Sequence, residues 1–173
     1  MNLPSPSEGR IKMEENLVTL KIDDKEVKVK QGTTILQAAK QAGIDIPTLC
    51  FLKDINEVGD CRMCIVEVDG RKGFATSCIQ KAEEGMVVHT HSPAVMEARR
   101  VILDLILSNH HRDCLTCSRN GNCELQALAM KFNVQHVEFE GEMTEHKVDD
   151  KSPAIMRDFN KCILCRRCVS VCK

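Results

Sequence analysis

The sequence predicts an α+β chain. Alternating apolar residues mark strands over the first ~90 positions, apolar residues at helical spacing follow, and eleven cysteines gather into three groups. The 173 residues, 43% of them apolar, leave room for one or two small domains, and this composition excludes both a disordered and a membrane-spanning chain. With five Phe and no Trp or Tyr, the cores must be assembled from Val, Ile, Leu and Met. Such cores are small, and bound metal adds folding energy wherever the apo site is unformed.

Residues 1–16 read as a disordered polar tail with no apolar run of signal-peptide length, which places the chain in the cytoplasm. Val18, Leu20 and Ile22, then Val27 and Val29, alternate on either side of Asp23-Asp24-Lys25 and predict a hairpin with one buried face. Thr34 is placed to cap a short helix over Ile35 to Ala42, which Gly43 stops. Ile65 to Val68, a turn at Asp69-Gly70, Phe74 to Cys78 and Met86 to Thr90 complete a small mixed sheet crossed by one helix. Ser92 as N-cap and Pro93 at the first helical position start a helix that runs to Ser108, with an apolar stripe through Val95, Ala98, Ile102, Leu105 and Ile106. A shorter helix is expected from Cys123 to Lys131. The expected units are 17–92, 93–137 and 157–173, with 138–156 as a linker.

A disulfide scaffold is disfavoured by the missing leader, by the odd cysteine count and by the seven cysteines that sit in C-x-x-C arrangements, where thiols converge on metal. The net charge of −1 conceals six acidic residues over Glu138 to Asp150 and five basic ones over Arg157 to Lys173, either solvated faces or a docking surface for a protein. No stacking aromatics accompany the basic run, so nucleic-acid binding is not expected. His89 and His91 read as surface residues.

Cys50, Cys61, Cys64 and Cys78 have the spacing C-x10-C-x2-C-x13-C. Two sulfide-bridged irons need four terminal thiolates, which a loop bearing three and a following strand bearing the fourth can supply. Gly59 would let the loop backbone approach the cluster closely and leave N–H groups facing sulfur. A zinc site with four cysteines is the alternative, although such sites usually pair two short knuckles and only one is present.

Ile46-Pro47-Thr48-Leu49-Cys50 and Gly59-Asp60-Cys61-Arg62-Met63-Cys64 resemble the amino-terminal iron–sulfur region of iron-only hydrogenases, of the large iron–sulfur subunit of respiratory complex I, and of the diaphorase subunits of NAD-reducing hydrogenases. The resemblance covers nearly all of 17–173. It implies a β-grasp, plant-type ferredoxin-like domain whose four cysteines hold a 2Fe-2S cluster. A small helical domain then holds a 4Fe-4S cluster by one histidine and three cysteines, and the start of a bacterial-ferredoxin-like domain follows.

The second group, His110, Cys114, Cys117 and Cys123, reads H-x3-C-x2-C-x5-C. Three thiolates leave a 4Fe-4S cube one ligand short, and a neutral imidazole completes it while removing one negative charge. The family uses this ligand set, and His110 rather than the adjacent His111 occupies its position. Zinc with the same four ligands remains an alternative.

The third group, Cys162, Cys165, Cys168 and Cys172, reads C-x2-C-x2-C-x3-C, the bacterial ferredoxin run in which the fourth thiolate serves a second cube. The second run and the usual following proline are absent. The expectation is that the sequence stops short of a longer chain that completes one or two further 4Fe-4S clusters. A partner's ligand, or Cys172 folding back onto one cube, are the other two explanations.

The function expected is single-electron relay, in a subunit or module of an NAD(P)H-linked oxidoreductase of the hydrogenase or formate dehydrogenase type. No G-x-G-x-x-G fingerprint occurs, so flavin and NAD would belong to a partner iron–sulfur subunit, with catalysis on another oxidoreductase subunit. No catalytic centre and no membrane insertion are expected. The alternatives are the accessory region of a longer iron-only hydrogenase and a zinc-stabilised interaction module.

Overall fold

The computed structural model describes residues 16–139 and 143–172, so the tail expected over 1–16 lies, apart from Asn16, outside the described residues. Strand β1 (Leu17–Ile22) pairs antiparallel with β2 (Lys25–Lys30) in full register from Leu17↔Lys30 to Ile22↔Lys25. The buried residues of the pair are Val18, Leu20, Ile22, Val27 and Val29, as the period of two requires.

Helix α1 (Ile35–Gln41) is closed at its start by a capping box. The Thr34 hydroxyl accepts the Gln37 N–H at 3.3 Å, and the Gln37 side chain accepts the Thr34 N–H at 3.3 Å. The helix lays Ile35, Leu36, Ala38 and Ala39 against the sheet. Gly43, at φ +72°, turns the chain out of it.

Strands β3 (Ile65–Val68), β4 (Phe74–Thr76) and β5 (Val87–His89) complete a five-stranded sheet in the order β2-β1-β5-β3-β4. β1 and β5 run parallel and the other neighbours antiparallel, which makes the sheet mixed. β4 is shorter than the sequence suggests. It ends at Thr76, so Cys78 lies in the turn that follows, where Ile79 and Gln80 donate N–H groups back to the Thr76 carbonyl.

Helix α2 (Pro93–Ser108) begins as expected, with the Ser92 hydroxyl accepting the Val95 N–H at 3.2 Å. Its buried row differs from the expected stripe. Val95, Arg99, Leu103 and Asp104 are buried, whereas Leu105 is 52% exposed. The face is fixed by two polar side chains with partners far away in sequence. Arg99 reaches carbonyls of the sheet domain, and Asp104 accepts the Glu138 N–H through both oxygens at 3.1 Å.

Helix α3 (Glu124–Lys131) and the short α4 (Arg167–Val171) carry the remaining regular structure, apart from single 3-10 turns at Cys114–Thr116 and Phe159–Lys161.

Two cores result. One lies between the sheet and α1. The other is built from Leu49, Met63, Leu103, Leu125 and Phe132, with Ile102, Ile106, Leu128 and Ile163 packed around it. The second core gathers the loop of the first cysteine group, both helices flanking the second group, and a residue of the third.

Candidate metal centres

The Cys50–Cys64 loop is held in shape by backbone that only some residues tolerate. Asp54 and Arg62 adopt φ +63° and +59°, and Gly59 adopts φ +70°. A Cβ on Gly59 would lie 3.0 Å from Thr76 Cγ2 and 3.3 Å from Ile79 Cδ1, so glycine is required both for the turn and for close approach to the segment bearing Cys78. The Arg62 guanidinium donates to Thr76 Oγ1 at 2.9 Å, and the buried Ser77 hydroxyl donates to the Cys64 carbonyl at 2.7 Å.

Within this frame the four cysteines form two interacting thiol pairs. Cys50 and Cys61 exchange N–H to sulfur contacts of 3.4 and 3.5 Å. The Cys50 thiol bonded to Cys61 holds the Cys61 thiol down at about 6, and N–H groups of Met63, Cys50 and Leu49 act in the same direction. Cys64 is held at about 7, first by the Cys78 thiol and then by the Cys78 N–H and the Ser77 hydroxyl. Cys50 and Cys78, which keep their protons to make these bonds, are pushed up, and Cys78 also feels the charges of Cys50 and Cys61. Four thiols thus converge as two pairs, with Cys50, Cys64 and Cys78 buried. Two pairs match two irons with two thiolates each. Among the described residues no three His, Cys, Asp or Glu side chains close around a point as a single ion requires.

The second group spans the turn between α2 and α3, from His110 just beyond α2 to Cys123, the residue before α3. His110 Nδ1 is buried and has no hydrogen-bond partner. Burial lowers its pKa, so the ring is neutral, the form in which imidazole binds metal. An unpartnered buried nitrogen is costly unless it serves as a ligand. Cys117 Sγ accepts the Arg119 N–H at 3.5 Å. The loop is tied to the Phe159–Lys161 turn by the His111 N–H donated to the Asn160 carbonyl at 3.0 Å and by Lys161 Nζ on Asp113 at 3.2 Å.

In the third group Cys165 is half-buried, and Cys162, Cys168 and Cys172 are exposed. Its segment docks on the first loop through residues that sequence reasoning missed. Asn56, 1% exposed, donates from Nδ2 to the Cys50 carbonyl at 2.8 Å and to the Cys165 carbonyl at 3.0 Å, and its Oδ1 accepts the Ser170 hydroxyl at 2.7 Å. Arg167 donates to the carbonyls of Cys50 at 3.4 Å and Phe51 at 3.1 Å, and pairs with Glu124 of α3 at 2.9 Å. A recess of about 330 Å³ opens between Cys61 and Cys162, walled by Ile102, Leu105, Ile106 and Leu164. No local signal marks Asn56 or Arg167, since their partners lie 109 and 116 positions away.

Comparison with known proteins agrees with this arrangement. Residues 15–93 match a 2Fe-2S iron–sulfur cluster binding domain, and residues 99–138 match the NADH-ubiquinone oxidoreductase-G iron–sulfur binding region. One relative is the NADP-reducing hydrogenase subunit HndD of Solidesulfovibrio fructosivorans, 45% identical over 91% of this chain and 28% of its own length. Another is the alpha subunit of the NADPH-Fe(3+) oxidoreductase of Geobacter sulfurreducens, 39% identical over 90% of this chain and 18% of its own. The mitochondrial 78 kDa subunit of NADH-ubiquinone oxidoreductase from Neurospora crassa is 37% identical over 88% of this chain and 21% of its own length. The chain thus spans less than a third of these relatives.

Among solved structures, an NAD+-reducing NiFe-hydrogenase in the H2-reduced state superposes with a TM-score of 0.83 at 33% identity, over 88% of this chain and 64% of that one. The cofactors are accordingly a 2Fe-2S cluster in the first unit and a 4Fe-4S cluster in the second. No described helix is long and apolar enough to cross a membrane. The chain carries the iron–sulfur region common to the large subunit of NADH-ubiquinone oxidoreductase and to NAD(P)-linked hydrogenase subunits.

Proposed function

We propose that this chain passes single electrons through its clusters as a module of an NAD(P)H-linked oxidoreductase complex. The observation that carries this reading is the shared second core, in which Leu49 and Met63 of the first site, Leu125 beside the second and Ile163 of the third pack together. Three redox sites on one rigid core are arranged for relay rather than for independent structural duty.

In this reading Cys50 and Cys61 hold one iron of the 2Fe-2S cluster and Cys64 and Cys78 the other, within a β-grasp unit over 17–92. His110, Cys114, Cys117 and Cys123 hold the 4Fe-4S cluster in a helical unit over 93–137. Cys162, Cys165, Cys168 and Cys172 serve further 4Fe-4S chemistry in a ferredoxin-like segment over 157–173, joined by the connection 138–156. The clusters supply one-electron chemistry, while the chain fixes their position, burial and hydrogen bonding. A flavin- and NAD-binding subunit as donor or acceptor, and a catalytic subunit at the other end, are the partners, in the cytoplasm. The 45% identity to a hydrogenase subunit that is much longer supports a second reading, in which the region feeds a hydrogenase centre.

Iron and acid-labile sulfide analysis, with EPR of the reduced chain, tests the proposal. One 2Fe-2S and at least one 4Fe-4S signal are expected. A colourless protein that contains zinc and no sulfide would overturn it.

A further inference from the structure

Arg99 is 0% exposed, in the middle of α2. Its guanidinium donates to three carbonyls, Met63 at 3.1 Å from Nε, Ile65 at 2.7 Å from Nη2 and Thr90 at 3.0 Å from Nη1. Met63 and Ile65 flank Cys64. The three bonds satisfy the fork but leave its charge unbalanced, because carbonyls are neutral. A buried arginine is normally retained with an anion beside it.

The anionic groups that act on Arg99 are Cys64 first, then Asp45 and Asp23. Both carboxylates are engaged elsewhere. Asp45 is an exposed partner of Lys131 at 3.2 Å, and Asp23 accepts the Thr90 N–H at 2.8 Å and the Thr90 hydroxyl at 2.7 Å. Burial lowers the Arg99 pKa to about 10, which leaves it a cation at neutral pH. The nearest unclaimed negative charge is therefore the thiolate set.

We propose that Arg99 is the built-in counter-cation of the Cys50, Cys61, Cys64 and Cys78 site, and that its charge raises the electron affinity of the cluster held there. The inference rests on the 2Fe-2S reading. A cluster with four thiolates is an anion when oxidised and gains one further negative charge on reduction, so a fixed neighbouring cation stabilises the reduced form more than the oxidised form. Arg99 touches carbonyls rather than the cluster, so it is a positioning residue whose charge acts through space.

The experiment compares the full chain, loaded with iron and sulfide, as wild type, Arg99→Lys and Arg99→Gln, in redox titrations followed by the 2Fe-2S EPR signal. Both variants lose the fork, and only Arg99→Gln loses the charge. At a fixed ambient potential the reduced-to-oxidised ratio should fall about tenfold or more in Arg99→Gln, about 59 mV for a one-electron couple, and by less than about threefold in Arg99→Lys. Equal behaviour of the two variants, with iron and sulfide content intact, would overturn the inference. If Arg99→Gln does not retain its cluster, the half-life of cluster loss gives the answer. Retention in Arg99→Lys alone supports a charge role, and equal loss in both leaves only a clamp and defeats it. Wild-type protein without sulfide would defeat the 2Fe-2S reading instead.

Discussion

Gly59 concentrates the local demands of the first site. Its φ of +70° and the 3.0 Å approach of Thr76 Cγ2 to where a Cβ would stand both exclude a side chain. Gly59→Ala should therefore destabilise the chain by about 1–3 kcal/mol and weaken the 2Fe-2S absorption, as thermal melting and visible spectra would show. An unchanged melt would mean that the loop bends at no cost. His110 makes a sharper prediction at the second site. His110→Ala should abolish the 4Fe-4S signal and leave the 2Fe-2S signal, whereas His111→Ala, which keeps the backbone N–H that bonds Asn160, should leave both. His110→Cys should restore the cube at a lower potential, because it returns the negative charge that imidazole removes. At this scale the cysteines, His110 and Gly59 are legible from spacing alone. Arg99, Asn56 and Arg167 are not, because their partners are backbone carbonyls brought near only by the fold, and carbonyls carry no sequence signature.

The elements divide in the same way. The hairpin, α1 and the start of α2 were readable because alternation, Thr34, Ser92 and Pro93 act within a few residues of themselves. The buried face of α2 was not, since Arg99 and Asp104 look like surface charges until their distant acceptors and donors are known. Cys78 was expected on a strand, but the sheet ends at Thr76 and a turn redirects the thiol toward Cys64. The docking of α4 on the first loop gives the prediction at this scale. Asn56→Ala would strip partners from the Cys50 and Cys165 carbonyls and from the Ser170 hydroxyl, a loss of about 1–3 kcal/mol for a buried group left unsatisfied. Hydrogen exchange should accelerate at the Ser170 and Cys172 amides of α4 and stay unchanged in β1. Equal acceleration in both would show that Asn56 holds the whole fold rather than this one joint.

Across the whole molecule, burial is unevenly spread. The sheet and α1 form a complete apolar core, whereas no described residue beyond Phe132 is buried. Ile155, Met156 and Leu164 are each at least 66% exposed, so apolar packing gives the last third little cohesion of its own. Its order depends on Asn56, Arg167 and Lys161 and on whatever its cysteines bind. Metal binding in a site that the apo chain does not preform becomes folding energy, so the dependence on clusters should rise along the chain. Removal of iron with a chelator under reducing conditions should leave β1 and β2 amides protected. The same treatment should speed exchange first at Cys172 and Ser170, then at Ala127 in α3, and only then at Leu36 in α1. Thermal unfolding should correspondingly split into a cluster-sensitive step and a later, cluster-insensitive step. If chelation instead released all amides together, the sheet core would have to depend on the 2Fe-2S cluster as strongly as the last third depends on its own ligands, and the two cores would be a single cooperative unit.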